Sequence, residues 1–122
     1  MPFRTSLRCE FIALSDEIIL TAPLIYYSDR YKRGVNVRAL FISDGASIPK
    51  VLWSVIGHPF SKHYRKQAVL HDWLYRTSDH GFTRNQADLI FYDSLREEDM
   101  GFIKASMLYL GVRVGGWKAW DK

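Results

Sequence analysis

Cysteine is almost missing from this chain: Cys9 stands alone among 122 residues. One thiol cannot close an intrachain disulfide framework or build a zinc site on several thiolates, so His, Asp and Glu remain as metal ligands, and reducing surroundings fit best. Long apolar runs are missing too. The longest, Phe102 to Val114, is interrupted by Lys104, Ser106 and Arg113 and falls short of the ~20 residues a membrane span needs, so it reads as a buried helix and no transmembrane segment is expected. Met1 to Leu7 holds no continuous apolar stretch with a small-residue cleavage site, and no signal peptide is expected. Internal repeats, low-complexity tracts and an interdomain linker are likewise absent, which makes a single domain over 1–122 the expectation.

What is present suffices for a packed core. Hydrophobic residues are 48% and aromatics 15% of the chain, enough apolar surface to offset the entropy of ordering it. The net charge of +4 mildly favours anionic partners. Nucleic acid is not expected among them, because the basic stretch His58, Lys62, His63, Arg65 and Lys66 contains no recognisable binding motif and reads as a solvated helix face.

The first 43 residues are β-rich, with apolar runs at Phe11 to Leu14, Ile18 to Tyr27 and Val35 to Ile42. In the third run Val35, Val37 and Ala39 alternate with Asn36 and Arg38, the period of a strand packed on one face. Residues 44–60 read as a loop followed by a short helix that opens at Pro49 and that Gly57 and Pro59 end. Residues 61–116 read as helical. Ser61 is the expected N-cap of a helix reaching Tyr75 or Arg76, Thr83 with Gln86 forms a capping box for a helix to about Glu98, and a last helix covers Phe102 to Val114 before Gly115-Gly116. The expected fold is α+β: a small N-terminal antiparallel β-sheet of two or three strands, then a short helix and a three-helix cluster.

Two features break the packing pattern. On the helix from Thr83, Ala87, Phe91 and Leu95 recur at i, i+4 and i+8, and Asp88 shares their side. A carboxylate turned toward apolar side chains needs a partner, since unpaired burial is costly or forces protonation. The preceding helix supplies His71, set among Ala68, Val69, Leu70 and Leu74, and the short linker makes the two helices antiparallel neighbours. With one ring nitrogen bound by Asp88, the other is oriented as a base. Tyr75, at i+4 from His71, is placed to buttress Asp88. Asp72 points about 100° away around the helix, where it is available to a metal or a water. The same three residues His71, Tyr75 and Asp88 equally suit a satisfied, purely structural polar network.

The second feature is Ser43-Asp44-Gly45-Ala46-Ser47-Ile48-Pro49, where Gly45 permits unusual backbone geometry at a strand end; Asp44 or Ser47 there is either a site residue or a helix cap. Ser47 lacks the glycine-flanked elbow of a covalent nucleophile. Trp53, Trp73, Trp117 and Trp120 read as core or interface mass.

The segment from Phe41 to Pro49, Trp53, His71-Asp72-Trp73-Leu74-Tyr75, and Asp88 with Phe91 resemble a domain family of unknown function encoded by tailed phages and prophages. Met107-Leu108-Tyr109 and Val112-Arg113 also fit its pattern, so the likeness runs from the third strand through the last helix. It implies a phage or prophage origin, a place among tail, virion or lysis genes, location in the virion or the host bacterial cytoplasm, and phage structural proteins as partners, without implying an activity. Tyr64 to Arg76, followed by Asp88 to Asp93, is similar to the two catalytic helices of small bacterial phospholipases A2. In that family the His of His-Asp-x-x-Tyr activates water, the next Asp binds calcium, and the Tyr and a later Asp orient the His. By position these are His71, Asp72, Tyr75 and Asp88. The paired cysteines and glycine-rich calcium loop of that family have no counterpart here, so Asp44 to Ser47 would have to supply oxygens beside Asp72.

The resulting expectation is a phage-encoded protein with a hydrolase-like site acting on an ester or phosphoester of the cell envelope, a lipid being one such component. His71 is the base, Asp88 and Tyr75 orient it, and Asp72 with Asp44 holds a divalent cation, calcium or zinc. The alternative is a non-enzymatic virion, tail or host-interaction protein with a structural His–Asp network.

Overall fold

Short strands with alternating burial come first and long helices follow, an α+β arrangement. A computed structural model of the chain describes residues 3–13, 15, 17–45, 48–49, 52–54, 64–77, 80–116 and 120. It divides into two compact units, Met1–Asp44 and Gly45–Lys122.

The first unit contains β1 (Cys9–Phe11), β2 (Ile18–Leu20), β3 (Leu24–Ser28), β4 (Arg33–Val37) and β5 (Ile42–Ser43). They form two small antiparallel sheets, one in the order β1-β2-β5 and one pairing β3 with β4. In the β3–β4 hairpin Leu24 lies opposite Val37 and Tyr26 opposite Val35. All four are buried, as the period of two requires when one face packs. Phe3 bridges to Tyr26 and meets its ring edge-on at 4.9 Å.

The apolar patterning predicts one sheet of two or three strands; the described residues form five strands in two sheets. The apolar run from Ile18 to Tyr27 breaks at Thr21-Ala22-Pro23, where Pro23 has no N–H to give a ladder and the Thr21 N–H bonds the Arg8 carbonyl instead. The run from Val35 breaks after Val37. Ala39 is therefore exposed, not packed beside Val35 and Val37, and Leu40 takes a left-handed φ of 71° while its N–H bonds the Leu20 carbonyl at 2.7 Å. Pro23 marks the first break in the sequence itself, whereas hydrophobicity alone shows no bend after Val37.

The second unit holds α1 (Arg65–Arg76), α2 (Arg84–Glu97) and α3 (Phe102–Gly115), and residues 52–54 are helical as well. Gln67 to Tyr75 are buried without interruption, so polar groups on this stretch are costly wherever they lack a partner. Its expected cap, Ser61, lies outside the described residues, as do Ser47, His58, Lys62, His63 and Trp117; Tyr64 occupies the N-cap position without a side-chain bond. For α2 the capping box forms as its sequence predicts: Gln86 N–H donates to Thr83 Oγ1 at 3.2 Å and Thr83 N–H donates to Gln86 Oε1 at 2.9 Å. Between α1 and α2, His80 Nδ1 accepts the Phe82 N–H at 2.9 Å, which leaves Nε2 to donate to the Leu74 carbonyl at 2.7 Å. This clasp closes the turn that makes α1 and α2 neighbours. Among the described residues no helix is long and apolar enough to cross a membrane.

Glycines let α3 approach its surroundings closely. A Cβ at Gly111 would overlap the Leu52 side chain, and one at Gly115 would come within 2.8 Å of Pro49 Cγ. Gly111→Ala is therefore expected to destabilise the protein by about 1–3 kcal/mol through overpacking, even though alanine is the better helix former. A fall in thermal midpoint would be the result; a rise would mean that Leu52 moves aside freely.

Candidate functional site

Every donor the central carboxylate needs comes from the helices just described. Asp88 lies in the second turn of α2 and is fully buried. Its Oδ1 accepts from His71 Nε2 at 2.8 Å and from the Tyr75 hydroxyl at 2.6 Å, while Oδ2 accepts from Arg113 Nη1 at 2.9 Å. His71 and Tyr75 come from successive turns of α1, and Arg113 from the last turn of α3. Burial pushes the Asp88 carboxyl upward, but the hydrogen bond and charge of His71 and the bonds from Tyr75 and Arg113 outweigh it and hold the group below its ordinary value of 3.8. The carboxylate is thus an anion. Because an anion only accepts, His71 Nε2 is the protonated ring nitrogen, and Nδ1 carries the lone pair whenever the ring is neutral.

Tyr75 is held as a neutral donor. Its pKa is raised first by burial and then by the Asp88 hydrogen bond and negative charge, against the opposing influence of Arg84. Arg84 Nε donates to the Tyr75 hydroxyl at 3.1 Å. The same guanidinium donates from Nη2 to the Val112 and Arg113 carbonyls, each at 2.7 Å. Those carbonyls lie in the last turn of α3, where the helix dipole favours a cation; the Val112 carbonyl also accepts the Gly116 N–H. Arg84 therefore ties the first residue of α2 to the end of α3 and to the Tyr75 hydroxyl. Ring packing completes the enclosure: His71 lies 4.2 Å from Tyr75 and 4.6 Å from Phe91 between centroids, and Trp120 meets Tyr75 edge-on at 5.1 Å.

Of the residues singled out in the sequence, His71, Tyr75 and Asp88 converge in one hydrogen-bonded cluster. Asp72 takes a separate course. Fully buried, its Oδ2 accepts the Gly45 N–H at 2.7 Å, and Gly45 itself sits at φ 73°, where a side chain would be strained. Asp72 thus pins the start of the second unit to α1. Asp44 is the last residue of the first unit and is half-buried. Among the described residues no group of three or more His, Cys, Asp or Glu is arranged to hold a metal ion.

Arg84 and Arg113 were not anticipated as members. The clue was available in part, since a buried anion calls for a cation, but seven of the chain's Lys and Arg residues lie beyond position 70 and only helix packing selects among them. Gln67, one turn before His71, is also buried; its Nε2 donates to the Ser94 carbonyl at 3.4 Å, and its Oε1 has no partner.

The depressed Asp88 pKa makes a stability claim with a definite sign. Its contribution is full above the unfolded carboxyl value near 3.8 and is lost as pH falls through the lower folded value. Asp88→Asn is expected to lower stability at neutral pH by roughly 1–3 kcal/mol, because the donors around it lose an anionic acceptor. It is also expected to flatten the acid limb of thermal midpoint against pH below about pH 4. An acid limb identical to that of the unaltered protein would show that Asp88 is not the linked group.

Comparison with known proteins adds a family without an activity. Residues 18–112 match the family described as protein of unknown function DUF1353. Two relatives from Sinorhizobium fredii (strain NBRC 101917 / NGR234) are similar over the same scale of sequence. Uncharacterized protein y4jT is 37% identical over 73 residues, 60% of this chain and 21% of the relative. Uncharacterized protein y4iH is 34% identical over 74 residues, 61% of this chain and 30% of the relative. The matched region thus spans between a fifth and a third of those curated relatives. No solved structure matches. Because the family match takes in most of the chain, including His71, Asp72, Tyr75 and Asp88, this protein belongs to the DUF1353 family.

Proposed function

We propose that this protein is a hydrolase acting on an ester or phosphoester of a bacterial cell-envelope component, with His71 as general base. The observation that carries the reading is the Tyr75–Asp88–His71 chain, in which a carboxylate held by three donors binds Nε2 and turns Nδ1 into the basic nitrogen. In this reading Nδ1 takes a proton from water as its oxygen attacks the carbonyl carbon or phosphorus, and the imidazolium returns that proton to the departing oxygen. Asp88 stabilises the imidazolium; Tyr75 and Arg113 keep Asp88 ionised and fixed, and Arg84 holds the Tyr75 hydroxyl. The likeness of these helices to bacterial phospholipases A2 supports an acyl ester of a lipid as the substrate class. The resemblance to phage and prophage domains supports a role at the host envelope, from the virion or the host cytoplasm.

Complete burial favours a second reading. His71 has 0% exposure, and a base sealed from solvent cannot meet substrate without local opening. The cluster is then a structural clamp joining three helices in a non-enzymatic virion, tail or host-interaction protein, and its satisfied donors serve only stability.

Release of fatty acid or phosphate from phospholipid vesicles and of fragments from peptidoglycan, each with calcium, zinc or chelator, separates the two. The hydrolase reading expects turnover that falls by about 100-fold or more in His71→Gln, with helix content by circular dichroism unchanged. Absence of turnover on every substrate by the folded, unaltered protein would overturn it in favour of the clamp.

A further inference from the structure

Helix α3 is apolar on two opposite sides, and only one of them is used. Ala105, Leu108 and Val112 are fully buried. Ile103, Met107, Leu110 and Val114 are 73%, 39%, 59% and 78% exposed. At 100° per residue these four fall within about 60° of one another, on the side facing away from the buried three. Their spacing of four, three and four is that of the a and d seam of a two-helix coiled coil. Phe102, at the start of the helix, is 63% exposed and flanks the stripe on one side. A single exposed leucine needs no explanation, whereas a contiguous apolar stripe of this size marks a surface that is covered by something.

We propose that the Ile103–Met107–Leu110–Val114 stripe is the interface of a homodimer, packed against the same stripe of a second copy. This goes beyond the hydrolase reading and does not depend on it. Area and charge select the occupant. The four exposed side chains of the stripe give several hundred Å² on each copy, so two stripes face to face approach the roughly 1,000 Å² total of a specific interface, and a two-fold pairing covers both patches at once. The charges on α3 are Lys104 and Arg113, and Arg113 is already paired with Asp88, so facing copies meet little like-charge repulsion. A membrane surface fits less well. Helices that lie on lipid carry a cation-rich face opposite the apolar one, and here the opposite face is the buried side of Ala105, Leu108 and Val112.

Sedimentation velocity and light scattering up to about 100 μM, with Ile103→Glu/Leu110→Gln as the disrupting variant, test the pairing. The expected result is a species of twice 14.2 kDa for the unaltered protein and a monomer of unchanged helix content for the variant. Val114→Lys is the second probe, since a cation suits the last turn of a helix; it is expected to weaken association at least tenfold without touching the Asp88 cluster. A monomer throughout that range overturns the proposal, and if that monomer binds anionic phospholipid vesicles the stripe belongs to lipid instead. A dimer that survives both variants overturns it too, by assigning association to another surface.

Discussion

A negative charge removed from water must be matched by donors, and the second unit of this protein is arranged around that requirement at Asp88. Its carboxylate has no exposure, yet it receives hydrogen bonds from an imidazole, a phenol and a guanidinium. Each donor belongs to α1 or α3, so satisfying the anion also fixes how those helices stand against α2. Removing water strengthens each of these bonds and raises the cost of losing any one. The two needs coincide. A site that orients a base and a clamp that joins three helices call for the same geometry, and exposure of the imidazole is where the two part company.

Support for the cluster extends outward through backbone groups. Arg84 spends its guanidinium on two terminal carbonyls of α3 while touching the Tyr75 hydroxyl. The end of α3, the start of α2 and the phenol that braces Asp88 are thereby coupled. Asp72 performs a comparable task on the other side of α1 by taking the Gly45 N–H. The adjacent residues His71 and Asp72 thus bond different partners, Asp88 and the Gly45 N–H. Gln67 stands apart as a buried amide with an unused oxygen one turn from His71, a polar group whose cost the rest of the helix must offset.

Helix ends were legible where a local rule controls them. Thr83 and Gln86 cap α2 as a reciprocal pair because both bonds lie within four consecutive residues. The antiparallel contact of His71 with Asp88 was legible as well, since a short linker leaves two amphipathic helices little choice of neighbour and a buried carboxylate little choice of partner. The strands were less so. Leu20 and Leu24 look like parts of one apolar run, but they belong to different sheets because Pro23 and the Thr21–Arg8 hydrogen bond turn the chain between them. Ala39 continued the alternation of Val35 and Val37 on paper and is exposed in the fold. Its neighbour Leu40 leaves the strand conformation to reach Leu20.

From the order of residues alone came the α+β class, the three long helices, the capping box and the trio His71, Tyr75 and Asp88, all of which follow from periodicity and from the intolerance of an apolar environment for an unpaired charge. Tertiary structure alone decided that Arg113 and Arg84 complete the trio, that Asp72 bonds a backbone N–H, and that the imidazole is sealed. Those outcomes depend on which faces of α1, α2 and α3 meet in space, a choice set by the packing of residues far apart in the chain, and no spacing along it records that choice.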